Sequence, residues 1–221
     1  MSEVKLIAYT QNENEIFFST GMDIMAYCAR VSNPSNQNNS ETAEKLLHYC
    51  IRNKHWSVFE MCNVVLEINT TRDIARQILR HRSFHFQEFS QRYADPNELG
   101  FETREFRLQD TKNRQNSIDV EDAELQAWWN AQQKFIIDHV SRIYKEAIDR
   151  GIAKEQARAI LPEGNTKSRL YANGTIRSWI HYIELRAANG TQKEHMEIAK
   201  ECAKVIAKIF PLANDILGNV D

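Results

Sequence analysis

Nowhere in its 221 residues does the chain hold an apolar run approaching the roughly 18 residues that span a bilayer. The opening Met1-Ser2-Glu3-Val4-Lys5 is not a basic stretch followed by an apolar one. Membrane insertion and export are therefore not expected, and a cytoplasmic location is. An excess of either charge is missing too: Lys+Arg 28 against Asp+Glu 30 leave a net charge of -2. That balance does not fit a protein that coats nucleic acid through bulk electrostatics, so any anion site must be local. Cys28, Cys50, Cys62 and Cys202 include no CxxC pair, which suits packing in a reduced setting better than a disulfide framework. Neither an internal repeat nor a low-complexity linker interrupts the chain. What is present is ordinary for a globular protein, 42% hydrophobic and 26% charged. Against roughly 150 residues for an average domain, residues 1–221 read as one elaborated domain.

The periodicities alternate between strand and helix. Val4, Leu6 and Ala8 predict a short strand, and residues 22–31 a helix. Ser40 is expected to cap a second helix running through Leu46, Leu47 and Cys50 to Asn53. Residues 59–69 switch to alternation, with Val64, Leu66 and Ile68 on one face. Ile74, Ala75, Ile78 and Leu79 predict a helix from Thr70-Thr71 to about Arg82. A strand is expected around Glu105–Leu108. The longest helical pattern covers 119–149 through Trp128, Phe135, Ile136 and Ile143 and stops at Gly151. Two more helices read over 174–188 and 191–209, separated by Asn189-Gly190. The fold expected is α+β, with a mixed or antiparallel sheet and several long helices.

The chemistry concentrates in one stretch. Between positions 72 and 92 stand Arg72, Arg76, Arg80, Arg82 and Arg92, no lysine, and only Asp73 and Glu88 as acids. Arginine throughout favours planar, bidentate contacts to phosphate or to a carbonyl-rich ring. On a helix, Arg72, Arg76 and Arg80 would line one edge, where a plain solvated face of ion pairs is the competing explanation. Two arginines flanking His81 exceed what capping a helix requires.

This segment resembles the flavin-dependent thymidylate synthases, whose signature is Arg-His-Arg, seven residues, then Ser: here Arg80-His81-Arg82, residues 83–89 and Ser90. His55-Trp56-Ser57-Val58-Phe59-Glu60 is similar to the family's His-x-Ser/Thr-Pro-Phe-Glu element, and Arg158-x-x-Leu161-Pro162 to its Arg-x-x-Leu-Pro element. Arg177-Ser178-Trp179-Ile180-His181 and Leu185-Arg186, followed by Gln192 and Glu194, are similar to its late helix region. The likeness covers roughly residues 22–209.

The resemblance implies reductive methylation of dUMP to dTMP, with 5,10-methylenetetrahydrofolate as one-carbon donor, FAD as hydride carrier and NADPH as reductant. It implies a homotetramer with active sites where subunits meet, small-molecule partners, and neither nucleic acid nor membrane. By position, FAD would be held by His55, Ser57, Arg80, His81, Arg82, Ser83, Glu88, Thr175, Arg177 and His181. dUMP would be held by Gln77, Arg80, Glu88, Ser90, Gln91, Arg92, Arg158 and Arg186. Ser90, Arg92 and Arg158 supply the charge-assisted donors that a nucleotide monophosphate needs. Arg186 is the implied catalytic group, stabilising charge that develops on the pyrimidine as its ring NH ionises. The chain departs from the family pattern at Val58, usually Pro, at Met61, often His, and at Thr175 and His181, where Asn is common. An altered flavin contact is expected there.

Other readings follow from the same residues. Ser90 as a nucleophile would need a positioned base, and the flanking arginines disfavour the imidazolium that His81 or His85 would become. His81 and His85 have a helical ligand spacing, but no third ligand of zinc type falls in a recognisable pattern, so no metal is expected. The four cysteine contexts look like packing positions, so attack on pyrimidine C6 by a thiolate is not expected. Arg177 and Arg186 are nine residues apart, about 900° of helical rotation, and should face opposite sides of one helix. A nucleic-acid-binding protein using the arginines and aromatics of 80–93 is the main alternative, and a flavoprotein of other specificity a further one.

Overall fold

The computed structural model describes residues 3–12 and 20–212; Met1 and Ser2 of the opening five lie outside them. In chain order the elements are β1 (Glu3–Tyr9), α1 (Gly21–Ala29), α2 (Ala43–Arg52), β2 (Asn63–Thr71), α3 (Arg72–Ile78) and β3 (His85–Glu88). They continue with β4 (Leu108–Gln109), β5 (Ser117–Ile118), α4 (Ala123–Asp149), α5 (Lys154–Ala157), β6 (Lys167–Thr175), α6 (Ile176–Arg186) and α7 (Lys193–Ala207). A four-stranded sheet has the order β1-β2-β6-β3, and β4 and β5 form an antiparallel pair with Leu108 opposite Ile118. The architecture is α+β. Thr10 N bonds to Asn63 O beside the ends of β1 and β2, and Arg72 N to Thr166 O where β2 ends and β6 begins, an antiparallel arrangement in both cases. Among the described residues no helix is long and apolar enough to cross a membrane.

The chain divides into two compact units, with breaks inside β2 after Ile68, inside β3 after Phe86 and inside β6 after Leu170. One unit comprises 69–80 and 87–170. Its core includes Ile74, Ile78, Tyr144 and Leu170. Arg104 organises it: Nη2 reaches Asp73 Oδ1 at 2.6 Å and the Thr71 hydroxyl, and Nε donates to Gly164 O at 3.0 Å. Buried Gln133 of α4 clamps the Arg104 backbone, accepting from N at 2.6 Å and donating to O at 3.0 Å. A charged side chain below the surface is tolerated because each of these partners replaces water.

The other unit comprises the described residues up to Ile68, 81–86 and those from Tyr171 onward. Thr20 starts α1 with a capping box: its hydroxyl accepts from Asp23 N at 3.3 Å, and Asp23 Oδ2 accepts from Thr20 N at 3.0 Å. Thr175 starts α6 by accepting from Ser178 N at 3.2 Å. Leu66, Ile68, Phe59, Trp179, Tyr182, Ile198 and Phe210 fill the core. Trp179 Nε1 donates to Val64 O at 3.1 Å, so the indole carries its polar edge inside without a loss.

Several boundaries differ from the periodicity. α3 ends at Ile78 rather than near Arg82, although no Gly or Pro stops it. The residues beyond turn away because Phe84, only 7% exposed, seats its ring against Trp179 at 4.6 Å and because His81 is bonded to α6. Tertiary packing overrides the local preference. Ser40 is not a cap; the N-cap of α2 is Thr42, whose side chain makes no capping bond. The strand expected at Glu105–Leu108 is displaced to Leu108–Gln109, and β2 starts at Asn63 after a short 3-10 turn over Trp56–Glu60. On α4, Trp128, Phe135, Ile136 and Ile143 are exposed, and only Gln133 and Tyr144 are buried.

Candidate functional site

Each unit contributes its own constellation. In the unit holding 69–80 and 87–170, the ion-pair explanation accounts for the helical arginines but not for the rest. Arg76 pairs with Glu163 at 2.7 Å, Arg72 approaches Glu88 at 3.5 Å, and Asp73 is taken by Arg104. Arg80 lies past the end of α3 and is exposed, and like Arg158 it has no side-chain partner among the described residues. Uncompensated guanidinium groups are what an anion site requires. Gln77, on α3, is half-buried and engaged.

The turn after β3 brings further expected residues together. Ser90 Oγ accepts from Arg92 N at 3.4 Å, a local turn contact rather than a nucleophile's bond to a base. Arg92 pairs with Glu155 at 3.3 Å and Lys154 Nζ donates to Tyr93 O at 2.8 Å, so this turn docks on α5, immediately before Arg158. The Arg92–Glu155 pair is largely exposed and holds Arg92 only weakly, within about 1 kcal/mol. Gln91 is buried, 4% exposed, and its Nε2 finds no acceptor. A buried amide donor without a partner costs free energy that a ligand oxygen would recover. Glu88 accepts from Ser168 Oγ at 2.7 Å and so is held within its own unit.

The second constellation surrounds α6, whose two sides are used as the rotation predicts. On one side Arg177 pairs with Glu60, and the His181 ring meets Trp56 edge-on at 4.9 Å. His55, Ser57, Arg82, Ser83 and His181 of this unit are exposed, and Arg82 has no side-chain partner among the described residues. Thr175 is occupied in capping α6, and Ser83 O accepts from Ser178 Oγ at 3.1 Å.

On the other side of α6, Arg186 Nε donates to His81 Nε2 at 2.9 Å. His81 packs edge-on against Tyr182 at 5.0 Å. Burial first, and the adjacent Arg186 charge second, push the His81 imidazole down to about 4, so it is a neutral acceptor at physiological pH. His195 is fully buried, with Nε2 3.1 Å from the Tyr182 hydroxyl, and burial first, then the charge of Arg186 and the neighbouring His81, push it to about 3. The pattern of the sequence did not single out Tyr182 or His195. A histidine at a core position of an amphipathic helix carries no signal of its own.

The cysteines are free, with Cys50, Cys62 and Cys202 buried and Cys28 partly so. Burial raises the thiols of Cys50 and Cys202, and that of Cys62 to about 11. These three are not thiolates at neutral pH.

Known proteins share this architecture. The fold matches that of PolB, a UMP/dUMP methylase from Streptomyces cacaoi crystallised with 5-Br dUMP. The TM-score is 0.78 at 23% identity, over 99% of this chain and 95% of that one. The class is thus that of an α+β chain with this fold. Residues 5–212 match the profile of the family described as Thymidylate synthase complementing protein (Thy1), and the chain belongs to that family. It is 51% identical over 207 residues to the probable flavin-dependent thymidylate synthase of Paramecium bursaria Chlorella virus 1, covering 94% of each chain. It is 53% identical over 188 residues to the flavin-dependent thymidylate synthase of Synechocystis sp., covering 85% of each. Membership on this scale displaces the nucleic-acid-binding alternative.

Proposed function

We propose that the chain is a flavin-dependent thymidylate synthase that methylates dUMP reductively to dTMP, with residues 1–221 acting as one catalytic domain. The observation that carries this function is the Arg80-His81-Arg82 segment of a Thy1 chain, with His81 fixed to Arg186. Ser90, Arg92 and Arg158 bind the dUMP phosphate, Arg92 exchanging Glu155 for a doubly charged ligand. Gln91 offers its unpaired amide donor, and Gln77, Arg80 and Glu88 complete the nucleotide site. Arg186 spends Nε on His81, which leaves both Nη groups for the pyrimidine. There they stabilise negative charge as the ring NH ionises, an electrostatic role. A cysteine adduct at C6 is not part of this scheme, because the buried thiols are held in their neutral form.

A flavin fits the donor set of the second constellation. Exposed His55, Ser57, Ser83 and His181 suit ring carbonyls and nitrogens, and the free guanidinium of Arg82 suits a diphosphate. His81, Arg80, Glu88, Thr175 and Arg177 are assigned to the same group. Bound FAD, reduced by NADPH, would supply the hydride that brings the one-carbon unit of 5,10-methylenetetrahydrofolate to a methyl group.

A homotetramer with active sites at subunit interfaces, in the cytoplasm, is part of this assignment. The exposed stripe of Trp128, Phe135, Ile136 and Ile143 on α4 supports it, since apolar faces of that kind are normally covered. The test is release of tritium from 5-tritiated dUMP, dependent on methylenetetrahydrofolate, by yellow protein whose flavin absorbance NADPH bleaches. Colourless protein that FAD does not reconstitute, or a flavoprotein that releases no tritium, would refute the assignment.

A further inference from the structure

The buried pair Tyr182 and His195 lies behind the residues assigned above, and nothing in that assignment uses it. We infer that His195 is a positioning residue: through Tyr182 it holds the His81 ring at the angle where Nε2 anchors Arg186 Nε, leaving the Nη groups of Arg186 to the substrate. This inference rests on the function proposed above.

The chain of contacts is short and continuous within one unit. Arg186 Nε donates to His81 Nε2 at 2.9 Å, the His81 ring stands edge-on to Tyr182 at 5.0 Å and 81°, and the Tyr182 hydroxyl shares a hydrogen bond of 3.1 Å with His195 Nε2. His195 lies 6.4 Å from His81 between ring centroids. Tyr182 is 2% exposed and His195 0%. A phenol buried so deeply must keep its hydroxyl bonded, so His195 fixes where the Tyr182 ring stands. That ring is in turn a wall of the His81 site.

An acceptor role for His81 Nε2 requires the Nδ1–H tautomer, and a proton on Nε2 would break the bond and set two cations together. Among the described residues, the charged and titratable groups beside His81 are Arg80, Arg82 and His85 on its own segment, Arg186 and Tyr182 of α6, and His195 of α7, with Cys202 of α7 acting on Tyr182 behind it. A neutral His195 adds no charge to that set, whereas a lysine or arginine in its place would.

The experiment uses the flavin-loaded protein with isotopically labelled histidine. In the wild type, NMR titration should give His81 as the Nδ1–H tautomer, staying neutral until well below its ordinary range. His195→Leu should move the His81 titration up toward the ordinary value near 6.5. It should also lower kcat by about tenfold or more while KM for dUMP stays within about threefold and flavin content is unchanged. His195→Gln, which keeps a partner for the Tyr182 hydroxyl, should recover most of the loss. If His195→Leu does not fold, Tyr182→Phe takes its place with the same readings.

An Nε2–H tautomer or an ordinary titration of His81 in the wild type overturns the inference, and so does a folded His195→Leu protein with an unshifted His81 and near-normal kcat. Failure of the parent function reads differently: wild-type protein would release no tritium, while the His81 titration would still decide the positioning role.

Discussion

Arg186 Nε and His81 Nε2 stand 2.9 Å apart, a bond that joins the last turn of α6 to the irregular segment following α3. It requires a neutral imidazole beside a permanent cation, and its consequence reaches stability as well as chemistry.

His81 and His195 are held at about 4 and about 3 in the folded chain, below the ordinary 6.5 of an unfolded histidine. As pH falls through 6.5 the unfolded chain takes up protons that the folded chain refuses. The stability these groups contribute is therefore whole above about pH 7 and is lost from there down to about pH 3–4. Denaturant titrations should give a stability at about pH 5 lower than at neutral pH by on the order of 2–3 kcal/mol. His195→Gln should flatten that acid-side slope.

Gly174 is the one described glycine where an added Cβ would collide, 2.6 Å from Phe84 Cδ1 and Cε1. Phe84 cannot swing away, being packed between Trp179 and Tyr182. Gly174→Ala should lower stability by about 1–3 kcal/mol, against the usual gain from replacing glycine in a strand. Thermal unfolding reads the drop. In a Phe84→Ala background the same change should become nearly neutral.

Gln133 satisfies Arg104 N, Arg104 O and Asn165 Nδ2 at once, at 2.6, 3.0 and 3.0 Å. Gln133→Leu keeps the volume but leaves buried backbone groups without partners. A loss of about 2–4 kcal/mol is expected from urea unfolding. A shift within a few tenths would mean that water reaches the site.

Phe135 is 68% exposed in the protomer and Trp128 55%. Phe135→Glu should leave the helical circular dichroism unchanged and reduce the assembly seen by sedimentation, since a carboxylate resists burial in an apolar contact. An unchanged assembly would place the subunit contacts elsewhere.

Much of this organisation was legible in the sequence, for identifiable reasons. Alternation located β2 through Val64, Leu66 and Ile68, all fully buried, and the nine-residue separation of Arg177 and Arg186 placed them on opposite sides of α6, where Glu60 and His81 now meet them. The end of α3 was not legible. Leu79–Arg82 contains no breaker, and what stops the helix is a ring docking far along the chain, at Trp179. The apolar stripe of α4 was legible as a stripe, but periodicity shows that a face is apolar without showing what covers it. Tyr182 and His195 were invisible for a related reason. Their significance lies in a hydrogen bond between two helices, and no spacing within either helix encodes it.

The placement of the cysteines has a practical consequence. With Cys50, Cys62 and Cys202 sealed inside and Cys28 partly open, a maleimide dye added to the native protein meets one address. That gives a single attachment point on α1 for fluorescence work without removing any native thiol.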